Sequence, residues 1–151
     1  MGGPERFPQY DEHVASRLEG SAEAGGGLPG FLGIRHASVR PGRLTAEVEV
    51  RAELMTPFGN LHGGVLAALC DHVLGTVCYP VIPRGAWAAT TEFKLNYLAP
   101  VSSGVLEATA EIVSMTKRTA VVRIEVVNDG RPVCLAQGTV LILAPPRVDD
   151  A

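Results

Sequence analysis

Asp71 stands in an otherwise apolar run, nine positions after the triplet His62-Gly63-Gly64, and these are the residues whose types and spacing suit chemistry. An aspartate in such a run forms helix poorly and is costly to bury unpaired. Two readings follow. Either it is a buried carboxylate bonded to nearby backbone or to His72, or it is held in a dry cleft to activate water or to attack a substrate itself. Two glycines at a helix start weaken the helix, by up to about 1 kcal/mol each against alanine in an interior. They also leave backbone N–H groups open to close approach by another molecule. Those groups carry the positive end of the helix dipole. His62, Gly63 and Gly64 can therefore hold a carbonyl oxygen and stabilise the charge it gains under attack. The bland alternative is a glycine-rich turn.

The elements that must position these groups are legible from periodicity. Apolar side chains, among them Val65, Leu66, Leu69, Val73, Leu74 and Val77, surround one helix that starts near His62 and stops at Pro80. A helix apolar on every side must be buried on every side. Leu44, Ala46, Val48 and Val50 alternate with Thr45, Glu47, Glu49 and Arg51, the pattern of a half-buried strand. A strand over residues 31–39 turns back at Pro41-Gly42 to meet it. Four extended segments follow the helix, over 86–97, 104–114, 120–128 and 132–143, and read as a meander. Asp129-Gly130 marks a hairpin between the last two, and Thr116-Lys117-Arg118 another turn.

The expected class is α+β, a curved antiparallel sheet of about six strands wrapped around one long central helix. Residues 1–30 form a Gly/Pro-rich lead-in with a short helix over 11–18, residues 31–144 the domain, and 145–151 a tail. One sheet leaves a flank of the helix and a sheet edge uncovered, which predicts dimerisation. Helix geometry adds a constraint. His62 and Asp71 lie two and a half turns apart, roughly 13 Å along the axis and on opposite sides. Two chains related by a two-fold axis, with antiparallel helices, would pair the Gly63 of one with the Asp71 of the other and so build two shared sites per dimer.

Bulk properties remove other classes. The 151 residues are 46% hydrophobic and 19% charged with a net charge of -3, so no basic excess is available for a nucleic-acid backbone. Cys70, Cys78 and Cys134 have no metal-ligand spacing and read as buried, reduced thiols of a cytoplasmic protein. His13, His36 and His72 lack zinc-site spacing, no serine sits in a G-x-S-x-G elbow, and neither a metal nor a cofactor is expected. No signal peptide is expected, and the apolar run over 65–82, interrupted by Asp71, His72 and Pro80, reads as a core helix and not a membrane span. Gly25-Gly26-Gly27 precedes a strand instead of following one, so it is no phosphate loop.

The stretches TPFGNLHGGVLAALCDHVLG and TTEFKLNYLAPV resemble the hotdog-fold thioesterases, especially the PaaI-like (phenylacetate-degradation) branch acting on acyl-coenzyme A, over about residues 31–144. The resemblance implies that Gly63 N–H polarises the thioester carbonyl, that His62 shapes the loop and meets the substrate, and that Asp71 is the catalytic carboxylate, as general base or as nucleophile. It places Thr90 as the group positioning the attacking water, with one extra residue between Asp71 and Asn96. Many members carry Asn-Pro six positions before the histidine, where this chain has Thr56-Pro57, so Thr56 becomes a substrate-binding candidate. Asn60 is another, although a turn role also suits it. Lys117 and Arg118 become candidates for the coenzyme A phosphates, ahead of Lys94 and Arg84. Tyr97 and Trp87 would pack, or line the acyl pocket. The implied substrate is an aryl, arylacetyl or short- to medium-chain acyl-coenzyme A, and the implied assembly a homodimer or dimer of dimers. A non-catalytic acyl-coenzyme A sensor on the same fold is the competing reading; it would need the cleft but not the acid.

Overall fold

The computed structural model describes residues 6–21 and 26–145. Its six strands are β1 (Arg35–Arg40), β2 (Arg43–Glu49), β3 (Trp87–Tyr97), β4 (Val105–Met115), β5 (Thr119–Asn128) and β6 (Arg131–Leu143). They form one antiparallel sheet in the order β1-β2-β4-β5-β6-β3. The helices are α1 (Glu12–Leu18), α2 (Gly27–Leu32) and the central α3 (Gly63–Thr76).

Alternation explains which face meets the helix. Leu44, Ala46 and Val48 of β2, Leu106, Ala108, Ala110 and Ile112 of β4, and Val122, Ile124 and Val126 of β5 are all buried. They form one core with Val65, Leu66, Leu69, Val73 and Leu74 of α3. Close approach of α3 to the sheet requires Gly138 on β6, where a Cβ would stand 2.4 Å from Leu74 Cδ1. Asp129 at φ 51° and Gly130 at φ 76° make the β5–β6 turn, both in the left-handed region that an Asp-Gly pair tolerates. By composition the span Gly63–Val81, mean hydropathy 1.4, is apolar enough to cross a membrane, and 67% of it is buried inside the fold.

Two expectations change. The meander covers only β4, β5 and β6, because β3 crosses to the far side and pairs with β6, Tyr97 opposite Cys134 and Trp87 opposite Leu143. The strand expected from residue 31 starts at Arg35; Phe31 and Leu32 belong to α2, whose last carbonyls accept from the Arg51 guanidinium. Arg51 itself leaves the strand, which ends at Glu49. As expected of a single sheet, α3 is not covered on every side within one chain: Gly64 and Asp71 are exposed and Ala67, Ala68, His72 and Gly75 half-buried. One curved sheet reaches around only part of a cylinder. The stripe it leaves carries small residues and the single acid.

Candidate active site

The loop before α3 is closed on itself so that His62 is presented at a fixed point. Thr56 Oγ1 donates to Asn60 Oδ1 at 2.9 Å and accepts from Phe58 N–H, while Thr56 N–H donates to Asn60 O at 2.7 Å. Both polar side chains thus serve the 56–60 turn, and Asn60 also lines the cleft beside Gly63. Leu61 N–H then bonds Val101 O and His62 N–H bonds Leu54 O, tying the turn to its neighbours.

At the helix start the His62 ring acts as N-cap. Its Nδ1 accepts from Gly64 N–H at 2.8 Å. With Nδ1 an acceptor, the neutral ring carries its proton on Nε2, a donor available to a ligand. Tyr97 Oη, from the end of β3, donates to Gly63 O at 2.9 Å. The peptide joining Gly63 and Gly64 is therefore held at both its oxygen and its nitrogen. Among the described residues nothing accepts from Gly63 N–H, the first free amide of the helix. The Tyr97 ring lies so close that a Cβ at position 63 would stand 2.9 Å from its Cζ. Glycine is required here for that approach.

Eight residues on, about 12 Å along the axis, the Asp71 carboxylate is exposed and takes no hydrogen bond or ion pair among the described residues. The dry burial expected for it is not present within one chain, for the same reason that the α3 stripe is open. Asp71 lines a cleft of about 570 Å³ with His72, Trp87, Ala89 and Thr90. A register shift between Thr90 and Glu92 absorbs one extra residue of β3 as a bulge. Thr91 there spends its hydroxyl on Thr139 O, while Thr90 faces the cleft.

The sequence-predicted residues thus fall into separate clefts. Gly63 and Asn60 share one, His62 and Gly64 a second, Asp71 and Thr90 a third, with no lining residue in common. Thr56 supports the loop below the first. Lys117 and Arg118 sit in the β4–β5 turn at the Asp71 end of the sheet: Arg118 O accepts from Ile142 N–H, and Ile142 pairs with Ala88, which lines the Asp71 cleft. Lys94 is exposed on β3, and Arg84 is engaged with Asp11. The three cysteines are buried free thiols, with burial pushing Cys78 up to about 12.

Sequence reasoning missed two contacts. One is Tyr97 on Gly63, for which the tyrosine in Asn-Tyr-Leu was the only signal. The other is His36, fully buried, with Nε2 2.9 Å from His72 Nε2 and Nδ1 near Ser21 Oγ and Leu18 O. That pair ties β1 and the segment after α1 to the residue beside Asp71.

A curved sheet around one helix, with a capped, glycine-bearing helix start, is the hotdog architecture, and the thioesterase superfamily profile matches residues 58–135, so the chain belongs to that family and its activity is thioester hydrolysis. The PaaI-like resemblance holds in space: a mutant of the phenylacetic acid degradation protein PaaI from Thermus thermophilus is 33% identical, with a TM-score of 0.68 over 74% of this chain and 94% of that one. The 1,4-dihydroxy-2-naphthoyl-CoA hydrolase of Listeria monocytogenes is 30% identical over 117 residues, 77% of this chain and 95% of the relative. A hypothetical thioesterase from Streptococcus pneumoniae, solved with coenzyme A, is 28% identical with a TM-score of 0.70 over 78% of this chain and 94% of that one.

Proposed function

We propose that the chain hydrolyses acyl-coenzyme A in sites shared between two copies. The observation that carries this is the separation just described: the donor end and the acid end of α3 lie in different clefts and each lacks what the other has. A two-fold axis with antiparallel α3 helices brings Gly63 of one copy to Asp71 of the other. Two open surfaces support such an assembly. β3 pairs on one edge only, leaving eleven residues of strand without a second neighbour among the described residues. Ala67 and Gly75, small residues on the open stripe of α3, let a second helix approach closely.

In the shared site Gly63 N–H, aided by the helix dipole, polarises the thioester carbonyl and takes up the charge that forms on its oxygen. The neutral His62 Nε2–H is a donor at the neighbouring cleft, which His62 shares with Gly64. Asp71 and Thr90 line one cleft, which supports Asp71 as general base toward a water that both hold. The water oxygen bonds to the carbonyl carbon, its proton passes to Asp71, and the carbon–sulfur bond breaks to release the thiolate, which takes the proton. Lys117 and Arg118, at the Asp71 end of the partner copy, suit the nucleotide phosphates. The coenzyme A bound by the Streptococcus pneumoniae protein and the substrate named for the Listeria monocytogenes relative support coenzyme A as the leaving thiol.

Mixing tests the sharing. Asp71→Asn and Gly63→Ala proteins, each inactive toward acyl-coenzyme A in a thiol-release assay, are exchanged into mixed dimers. Mixed dimers hold one intact site, so activity returns to roughly a quarter of wild type at equal proportions. No recovery after proven subunit exchange would refute the shared site.

A further inference from the structure

α2 is a six-residue helix of sequence GLPGFL, half of it glycine and proline, the poorest helix formers. It is held from outside. Arg51 Nη1 donates to Leu32 O at 3.1 Å, Nη2 donates to Phe31 O, and the guanidinium lies 5.2 Å from the centre of the Phe31 ring. Leu32 anchors the helix in the core, while Leu28 and Phe31, one turn apart, turn outward and stay 57% and 58% exposed. Leucine and phenylalanine thus stand side by side as an outward apolar pair.

These two side chains form one wall of a cleft of about 280 Å³. The opposite wall is α3, where Gly64, Val65 and Ala68 leave room, and Leu54 and Met55 form the floor. His62, whose ring caps α3, stands at the same cleft. The one carboxylate there, Glu53, faces the Arg51 guanidinium at 3.8 Å, so the cleft offers no uncommitted charge to an ionised tail. α2 and Arg51 lie outside residues 58–135, the segment that matches the superfamily.

We infer that the α2 cleft holds the acyl tail of the thioester, selecting an uncharged apolar tail, with Phe31, set by Arg51, as the specificity-determining residue. The inference rests on the proposed acyl-coenzyme A reaction, and continuity with His62 and Gly64 commits the cleft to the substrate over a second protein chain.

The test measures kcat/KM for wild type, Phe31→Ala and Ala68→Leu on acetyl-, butyryl-, octanoyl-, decanoyl-, lauroyl-, phenylacetyl- and succinyl-coenzyme A. Wild type should gain about fourfold per added methylene until the cleft is full, and discriminate against succinyl. Ala68→Leu should lower the octanoyl-to-acetyl ratio by about tenfold or more, and Phe31→Ala should move the optimum toward lauroyl. The octanoyl and phenylacetyl arms tell aliphatic from aryl tails. A profile flat in tail length overturns the inference, as does an equal loss on every substrate. So does a Phe31→Ala protein with changed molecular mass in solution and an unchanged profile, since the cleft would then be a subunit contact. Calorimetric binding of decanoyl- against acetyl-coenzyme A to the Asp71→Asn protein, with and without Ala68→Leu, separates the two readings. A tail preference erased by Ala68→Leu upholds the cleft even if turnover assigns no role to Asp71; no tail preference overturns it even if Asp71 proves essential.

Discussion

The two halves of α3 are built in opposite ways. At the first turn nearly every polar group is committed: His62 caps Gly64, Tyr97 holds the Gly63 carbonyl, and the 54–62 loop is bonded to Leu54 and Val101 on either side. Gly63 N–H and the His62 Nε2–H are left over among the described residues. Two turns later the helix presents an unbonded carboxylate to solvent, over a wall of Thr90 and Trp87. A donor must be aimed before charge develops, because reorganising dipoles during the reaction costs part of what they contribute. A base needs only reach and a drier environment than one chain gives it. The rigid end can be completed by local folding, and the acid end waits for a partner or a substrate.

Removing the acid breaks the comparison most severely. Asp71→Asn should lower kcat by about 10² to 10⁴ with an unchanged melting temperature, since the exposed carboxylate supports nothing within its own chain. Thiol release at saturating substrate reads this directly, and a variant within a few-fold of wild type would remove Asp71 from the chemistry.

Gly63→Ala attacks the rigid end. The added methyl falls 2.9 Å from Tyr97 Cζ, so either the ring or the helix start must move and the amide loses its aim. A loss of about 10² to 10³ in kcat is expected, with a far smaller change in KM. Tyr97→Phe is the gentler version. It keeps the ring against Gly63 and deletes only the donor to its carbonyl, one net hydrogen bond of about 1 kcal/mol. The expected loss is about tenfold in kcat or less, with KM held. Equal falls in kcat and stability would reduce Tyr97 to a packing residue.

This contrast also marks what the amino-acid pattern carried. Alternation in β2 made its core face visible, and Pro41-Gly42 and Asp129-Gly130 marked their hairpins, because those signals are local. The position of β3 was not visible: its pairing with β6 joins residues up to 56 apart, such as Trp87 and Leu143, and its own sequence reads equally well as the first strand of a meander. α2 escaped because its helix is imposed by Arg51, nineteen residues beyond Leu32, against its own glycines and proline. At the site, His-Gly-Gly and Asp71 stood out as costly residues in an apolar run. Tyr97 did not, since its hydroxyl acts across 34 positions of sequence.

The smallest predicted effect concerns the wall behind the acid end. Leu18, at the end of α1, lines the Asp71 cleft. α1 is started by Asp11, whose carboxylate caps His13 and Val14 N–H and pairs with Arg84 at 2.6 Å, while Asp11 N–H bonds Pro80 O just beyond α3. The hydrogen bond from Arg84, with that from Val14, lowers the Asp11 carboxyl to about 2, against 3.8 for the free group. A depressed carboxylate contributes its stability above its unfolded pKa and loses it as pH falls through the folded value. The α1 strap should therefore hold at pH 5 and loosen between about 4 and 2, and Asp11→Asn should flatten that part of the pH profile. Hydrogen exchange over residues 12–18, compared with the 54–63 loop, distinguishes local from global loosening: α1 amides should open first in acid while the His62 loop stays protected. If both segments open together, or if Asp11→Asn keeps the wild-type slope, the acid end owes nothing to this strap, and its looseness is set by the open α3 stripe alone.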